Sequence, residues 1–284
     1  MTPRRESNAS KRKLYLLTQT TMSNPCLPPE IPDCITDLLH DQPKTLERCC
    51  LVSKSWVPRT RKHLFADIGL RDEKHLKLWK KTFPDPSTSP AHYAKTLFVG
   101  RPQAIVAADA EPGGWIRGFS GVVNLRVGSQ VLSTERSIYL IPFHGLSPGI
   151  KSLHLTVPTL PPSRIINLIS SFPLLEDLAI HVTTSYGIVT DDADSPDRPL
   201  TATQPYSSPT FTGSLELYIR GGMQPVTSRL LSLPIGIHFR ELALRWFYEA
   251  DCLMTMVLVE RCSHTLESLH IAVLSCTSVQ HTPH

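Results

Sequence analysis

No stretch of the chain approaches the run of about 18 consecutive apolar residues that a membrane-crossing helix needs. The N-terminus also reads as a poor secretion signal. Behind Arg4, Arg5, Lys11, Arg12 and Lys13 comes only Leu14-Tyr15-Leu16-Leu17, shorter than the apolar segment of about 7–15 residues that export requires. The Asn8-Ala9-Ser10 triplet therefore carries no expectation of glycosylation, and the basic cluster reads as a solvated tail or a nuclear-localisation signal. The seven cysteines (Cys26, Cys34, Cys49, Cys50, Cys252, Cys262 and Cys276) are odd in number and contain no CxxC pair. That spacing suits neither a disulfide framework nor a zinc site, and reduced thiols fit a cytoplasmic or nuclear location. Charge of one sign is scarce: 29 basic against 25 acidic side chains leave a net +4, too small a bias to imply nucleic acid.

The motifs of common catalytic sites are absent too. There is no Walker loop, GxGxxG, HExxH or GxSxG, and Gly118-Phe119-Ser120-Gly121 stops one residue short of a nucleophile elbow. Asp191-Asp192-Ala193-Asp194 lacks the glycine and distal glutamate of a calcium loop, and Pro196 disrupts it. Nothing in the chain predicts catalysis, a cofactor, a metal site, or a nucleic-acid or membrane partner.

What is present is a globular composition, 41% hydrophobic and 19% charged over 284 residues, broken by 25 prolines. So many prolines predict many short elements with firm breaks between them. Residues 1–24 read as a disordered basic tail. A helical module follows at 25–68, then a repeat region at 69–277 and a tail at 278–284.

In the module, Ile31, Ile35, Leu38 and Leu39 lie on one helical face, with Pro32 predicting a late or distorted start. Asp41-Gln42-Pro43 ends that helix. A second is expected from about Lys44 to Val52 on Leu46, Cys49 and Cys50. Ser53 or Ser55 can cap a third, with Pro58 in its first turn and Trp56, Leu64 and Phe65 as its apolar face. About 40 residues in three helices bury little surface alone, so the module is expected to need a partner.

Leu27-Pro28-Pro29-Glu30-Ile31, the apolar helix behind it, and Thr45-Leu46-Glu47-Arg48-Cys49-Cys50-Leu51-Val52-Ser53-Lys54-Ser55-Trp56 resemble the F-box motif. The continuation to Ile68 is similar to the form common in mushroom-forming fungi. Pro32 and the polar Lys54 region depart from the usual pattern. The resemblance implies docking on the Skp adaptor of a cullin–RING ubiquitin ligase. By position, the contact residues would be Leu27, Pro28, Glu30, Ile31, Ile35, Leu38, Leu39, Leu46, Leu51, Val52 and Trp56. Packing within the module is the competing role for each, and is favoured for Trp56, Leu64 and Phe65.

After a short helix expected over 71–83 and a loop at Pro84–Pro90, an apolar-x-apolar triplet recurs. It begins at Leu97, Leu125, Leu153, Leu178, Leu215, Leu242 and Leu269. The steps are near-equal except one, which holds a surface loop expected at 191–210. The period falls in the leucine-rich-repeat range of about 20–29 residues. It predicts an α/β fold: an irregular solenoid with short parallel strands, with helical returns at 162–171 and 253–262. An ordinary α/β domain with parallel strands is the alternative. The chain runs only 13 residues past Ile271 with no polar cap, which leaves an exposed last strand or a chain cut short.

Strand side chains alternate, so if the first and third residues of each triplet face inward, the others share a second face. The candidate target-binding residues there are Phe98, Arg126, His154, His181, Glu216, Tyr218, Arg245 and His270. Thr96, Asn124, Ser152, Thr156, Asp177, Ser214, Glu241 and Ser268 flank them. The combined expectation is a substrate-recognition adaptor of a Skp–cullin–F-box ubiquitin ligase, binding an unknown target protein through its repeats. The alternatives are a ligase-independent repeat scaffold with a vestigial F-box and, more distantly, a hydrolase-like α/β enzyme.

Overall fold

The computed structural model describes residues 28, 30–101, 105, 114–128, 146, 148–157, 162–183, 209, 211–220, 222–233, 236–246 and 250–273. The basic tail, the 191–210 segment apart from residue 209, Leu27 and residues 274–284 lie outside them. Two compact units divide within the third helix, Met1–Thr60 and Arg61–His284. The module boundary read from the sequence, Ile68, falls later. Asp67–Leu70 is already a strand paired with Thr96–Val99, and Phe65 stacks edge-on against Trp79 and Phe83.

In the first unit α1 spans Glu30–Leu38, with Glu30 and Asp33 in its first turn, where the helix dipole favours acidic side chains. Pro32 is the third helical residue. Its missing N–H had no intrahelical partner to lose, so the helix starts before it rather than after. α2 spans Pro43–Cys49, with proline opening the helix as its fixed φ allows. It stops short of the expected Val52: Leu51 and Val52 instead donate to Arg48 and Cys49 carbonyls in tight turns of 2.9 and 3.1 Å. Ser53 is extended and its hydroxyl accepts from Ser55 N–H, opening a 3-10 turn at Lys54–Trp56 that runs into α3, Val57–Leu64. The Arg59 guanidinium forks onto both Asp37 oxygens and ties α3 to α1. That hydrogen-bonded carboxylate holds the arginine's pKa above its already high ordinary value.

The second unit is an α/β structure built on eight parallel strands in strict sequential order. They are β1 Asp67–Leu70, β2 Thr96–Val99, β3 Asn124–Gly128, β4 Ser152–Val157, β5 Asp177–Val182, β6 Ser214–Ile219, β7 Glu241–Trp246 and β8 Ser268–Val273. Among the described residues, four α-helices with stated bounds lie between strands: α4 Glu73–Thr82, α5 Pro162–Ile169, α6 Gln224–Leu231 and α7 Ala250–Cys262. All seven triplets predicted from the sequence are paired in register through their first leucines, and Ile68 adds an eighth rung, 29 residues before Leu97.

The alternation is that of a sheet with one face buried. Leu97 and Val99, Leu125 and Val127, Leu153 and Leu155, and their counterparts through Leu242 and Leu244 form one continuous core. A further apolar ladder stands three residues before the strand leucines: Ala94, Val122, Ile150, Leu175 and Phe239 are all buried. At β6 this ladder slips by one position. Phe211, at φ 43°, fills the core from the left-handed region, where a non-glycine residue is strained by about 1 kcal/mol or more.

α4 begins at its Asp72 cap and buries Leu76, with Trp79 and Phe83 half-buried, as its spacing predicts. The Pro84–Pro90 segment is more ordered than a plain loop, with 3-10 turns at Pro86–Thr88 and Pro90–Tyr93. α5, within the helical return expected at 162–171, buries Ile165, Leu168 and Ile169. α6 is not signalled by the sequence, because Gly221, Gly222 and Pro225 read as breakers; Pro225 sits in the first helical turn, where it fits. On β8, Leu269 and Ile271 hold the inward register, yet they are 42% and 43% exposed.

The rungs approach closely at Gly100. A Cβ there would lie 2.5 Å from the Arg71 carbonyl oxygen, while Gly100 N–H donates to Leu70 C=O at 2.8 Å. Backbone, not a flexible side chain, blocks the space. Gly100→Ala is therefore expected to destabilise the sheet unit by about 2–3 kcal/mol, read as a lower denaturant midpoint at unchanged slope.

Candidate functional site

Two surfaces collect the predicted residues, one in each unit. In the helical unit, short helices leave much apolar surface outside. Leu38 is 79%, Leu51 86%, Val52 67% and Ile31 43% exposed. Pro28 and Glu30 are exposed; Ile35, Leu39 and Trp56 are half-buried. Leu46 corrects the sequence reading: it is fully buried, so it supports the unit from within and cannot be surface. Leu51 and Val52 stand in the turn between α2 and the 3-10 segment, where no helix covers them.

In the sheet unit, all eight candidate target-binding residues lie on the polar face, and five of them touch. The His154 and His181 rings meet edge to face at 4.6 Å, and His181 meets Tyr218 at 5.8 Å. His181 Nε2 is 3.0 Å from Glu216 Oε1. It nevertheless makes no angularly acceptable hydrogen bond; the contact is therefore an ion-pair distance rather than a directed bond. Arg245 shares the same carboxylate at 3.6 Å and lies over the Tyr218 ring at 5.6 Å. Such stacking adds about 0.5–1 kcal/mol at exposed sites. His154 Nε2 meets the Thr156 hydroxyl at 3.1 Å.

The other three candidates stand apart. Phe98 leans over Gly128, whose absent Cβ leaves room for the ring edge. Arg126 lies between Phe98 and His154 in register, and His270 contacts Ser268 Oγ at 3.0 Å on the last strand. Beside the cluster, an open depression of about 670 Å³ has Glu216, Ala243, Arg245, His270 and Ala272 among its lining residues. The flanking Asp177 serves the fold. Its carboxylate accepts from Ser214 N–H at 2.7 Å and from the Ser214 hydroxyl at 2.9 Å, and leans over Gly213, where a Cβ would collide with it. Sequence reasoning placed Asp177 on this face but missed that duty, since its partner is 37 residues away.

Burial pushes the His154 pKa below the ordinary histidine value; nearby His181 and Arg126 add to the effect, and Glu216 opposes it. A histidine depressed in the folded state binds its proton more readily when unfolded. It therefore contributes stability above the unfolded pKa of about 6.5, lost as pH falls through the lower folded value. The melting temperature of the sheet unit is expected to fall between about pH 7 and pH 5, and His154→Asn should remove part of that fall. An identical slope in the variant would refute the assignment.

Among the described residues no three His, Cys, Asp or Glu side chains are grouped to hold a metal ion, and no helix is long and apolar enough to cross a membrane. The chain has no match among protein-family models, curated proteins or solved structures.

Proposed function

We propose that this protein is a substrate-recognition adaptor of a Skp–cullin–F-box ubiquitin ligase. In this reading the helical unit docks on the Skp adaptor, and the polar sheet face holds the target protein. The observation that carries the reading is the exposed apolar set Ile31, Leu38, Leu51 and Val52, on a unit whose sequence resembles the F-box motif at fixed spacing. A small helical unit with that much uncovered apolar surface is suited to bind a partner. The eight parallel rungs in sequential order, at steps mostly of 25–29 residues, fit a leucine-rich-repeat-like solenoid. Such rungs present one alternating side-chain set along a continuous face.

The mechanism is proximity. Holding target and ligase in one complex raises their effective concentration, and the bond to ubiquitin is made by other subunits. The location that follows is the cytoplasm or nucleus. The test is co-purification of the full chain with a Skp adaptor and its cullin. A stoichiometric complex containing all three supports the reading. A complex without cullin favours a ligase-independent scaffold, and a folded chain that ignores the adaptor removes the proposal.

A further inference from the structure

Sheet edges in proteins are commonly guarded by charge, proline or a bulge, because an unguarded edge pairs with whatever strand meets it. β8 has no such guard. It reads Ser-Leu-His-Ile-Ala-Val, six residues without Lys, Arg, Asp, Glu or Pro. Among the described residues nothing pairs with its outer edge. On its apolar side, Leu242 and Leu244 of β7 are at most 1% exposed, whereas Leu269 is 42%, Ile271 43% and Val273 69% exposed. Leu253 and Met256, on the helix that leads into β8, are also exposed.

The strand is complementary to itself. Placed antiparallel to a second copy about a two-fold axis at Ile271, Leu269 faces the second copy's Val273, Ile271 faces Ile271, and His270 faces Ala272. A two-fold axis normal to the sheet keeps all the apolar side chains on one face, and no strand carboxylate or ammonium meets its like. Shifting the register by one residue would oppose the apolar row to His270 and Ala272, so the self-pairing has a defined alignment. We propose that this protein forms a two-fold dimer by antiparallel pairing of β8 with β8 of a second copy, joining the two sheets edge to edge. This stands independently of the ligase reading.

The experiment is light scattering behind size exclusion on the full chain from about 1 to 100 µM, beside an Ile271→Lys variant. The expected result is a wild-type dimer and a variant weakened by at least about 100-fold, because two ammonium groups would meet at the axis, with circular dichroism and melting unchanged. Ile271→Cys gives a second readout. Directly opposed residues in antiparallel strands lie about 4.5–5.5 Å apart at Cα, within disulfide range. Mild oxidation should then yield a 271–271 linked peptide by mass spectrometry. A wild type monomeric at about 100 µM overturns the proposal. So does a dimer that survives Ile271→Lys, or a dimer without the 271–271 link. Should Ile271→Lys fail to fold, the cross-link decides alone.

Discussion

Phe239→Ala is expected to cost the sheet unit about 3–5 kcal/mol, a substantial share of what holds a domain together. Phe239 is fully buried and its ring lies 5.1 Å from that of Phe211, tilted by 44°. The two rings fill the base of the β6 and β7 rungs, where the ladder of smaller side chains gives way to aromatics. Removing one leaves a void among rungs that are fixed by backbone pairing on both sides, so little collapse can offset it. Phe211 stands at positive φ in contact with that ring. A double-mutant cycle with Phe211→Ala should therefore show coupling beyond about 0.5 kcal/mol, where independent sites would simply add. Chemical denaturation of the four proteins provides the measurement. Additive losses would mean the two rings stabilise the rungs separately.

The second large effect concerns binding without stability. Leu51→Glu with Val52→Glu is expected to weaken association with a Skp adaptor by at least about 100-fold, roughly 2.7 kcal/mol. Both residues are about two-thirds exposed or more in the free chain, unlike Leu46, which α2 buries. Exposed substitutions of this kind usually change stability by no more than about 0.5 kcal/mol, so melting should be nearly unaltered while the carboxylates cannot enter an apolar interface. Calorimetric titration of the adaptor checks it. Unchanged affinity would place any adaptor contact away from this turn.

The strands were legible because two signals coincide in them: alternation within each triplet and recurrence between triplets. Leu97 through Leu269 mark every rung but the first. Ile68 escaped because its strand, Asp67–Leu70, holds Gly69 at its centre and follows directly on helical sequence. α6 was hidden by residues that break helices in the interior but are tolerated at their starts. The face of the sheet could be read from alternation alone, whereas the grouping of His181, Glu216 and Arg245 required knowing which strands are neighbours. The Asp37–Arg59 fork, between residues 22 apart on different helices, leaves no local trace. Leu46 and Leu51, close in sequence and alike in chemistry, diverge completely in exposure because α2 ends between them.

The strictly sequential order of the strands also governs how a disturbance spreads. Among the described residues each rung is hydrogen-bonded only to the rung before and the rung after it, so the β-ladder contacts are made between near neighbours along the chain. Such an array behaves as a one-dimensional chain of coupled units, which can form progressively during synthesis and fray from a free end. Within one chain β8 is coupled on one side alone among the described residues, and in the monomer its amides should exchange with solvent sooner than those of β4 or β5. A defect at one rung is then felt as a local loosening, fading over the neighbouring strands, while the histidine-rich centre of the sheet stays closed.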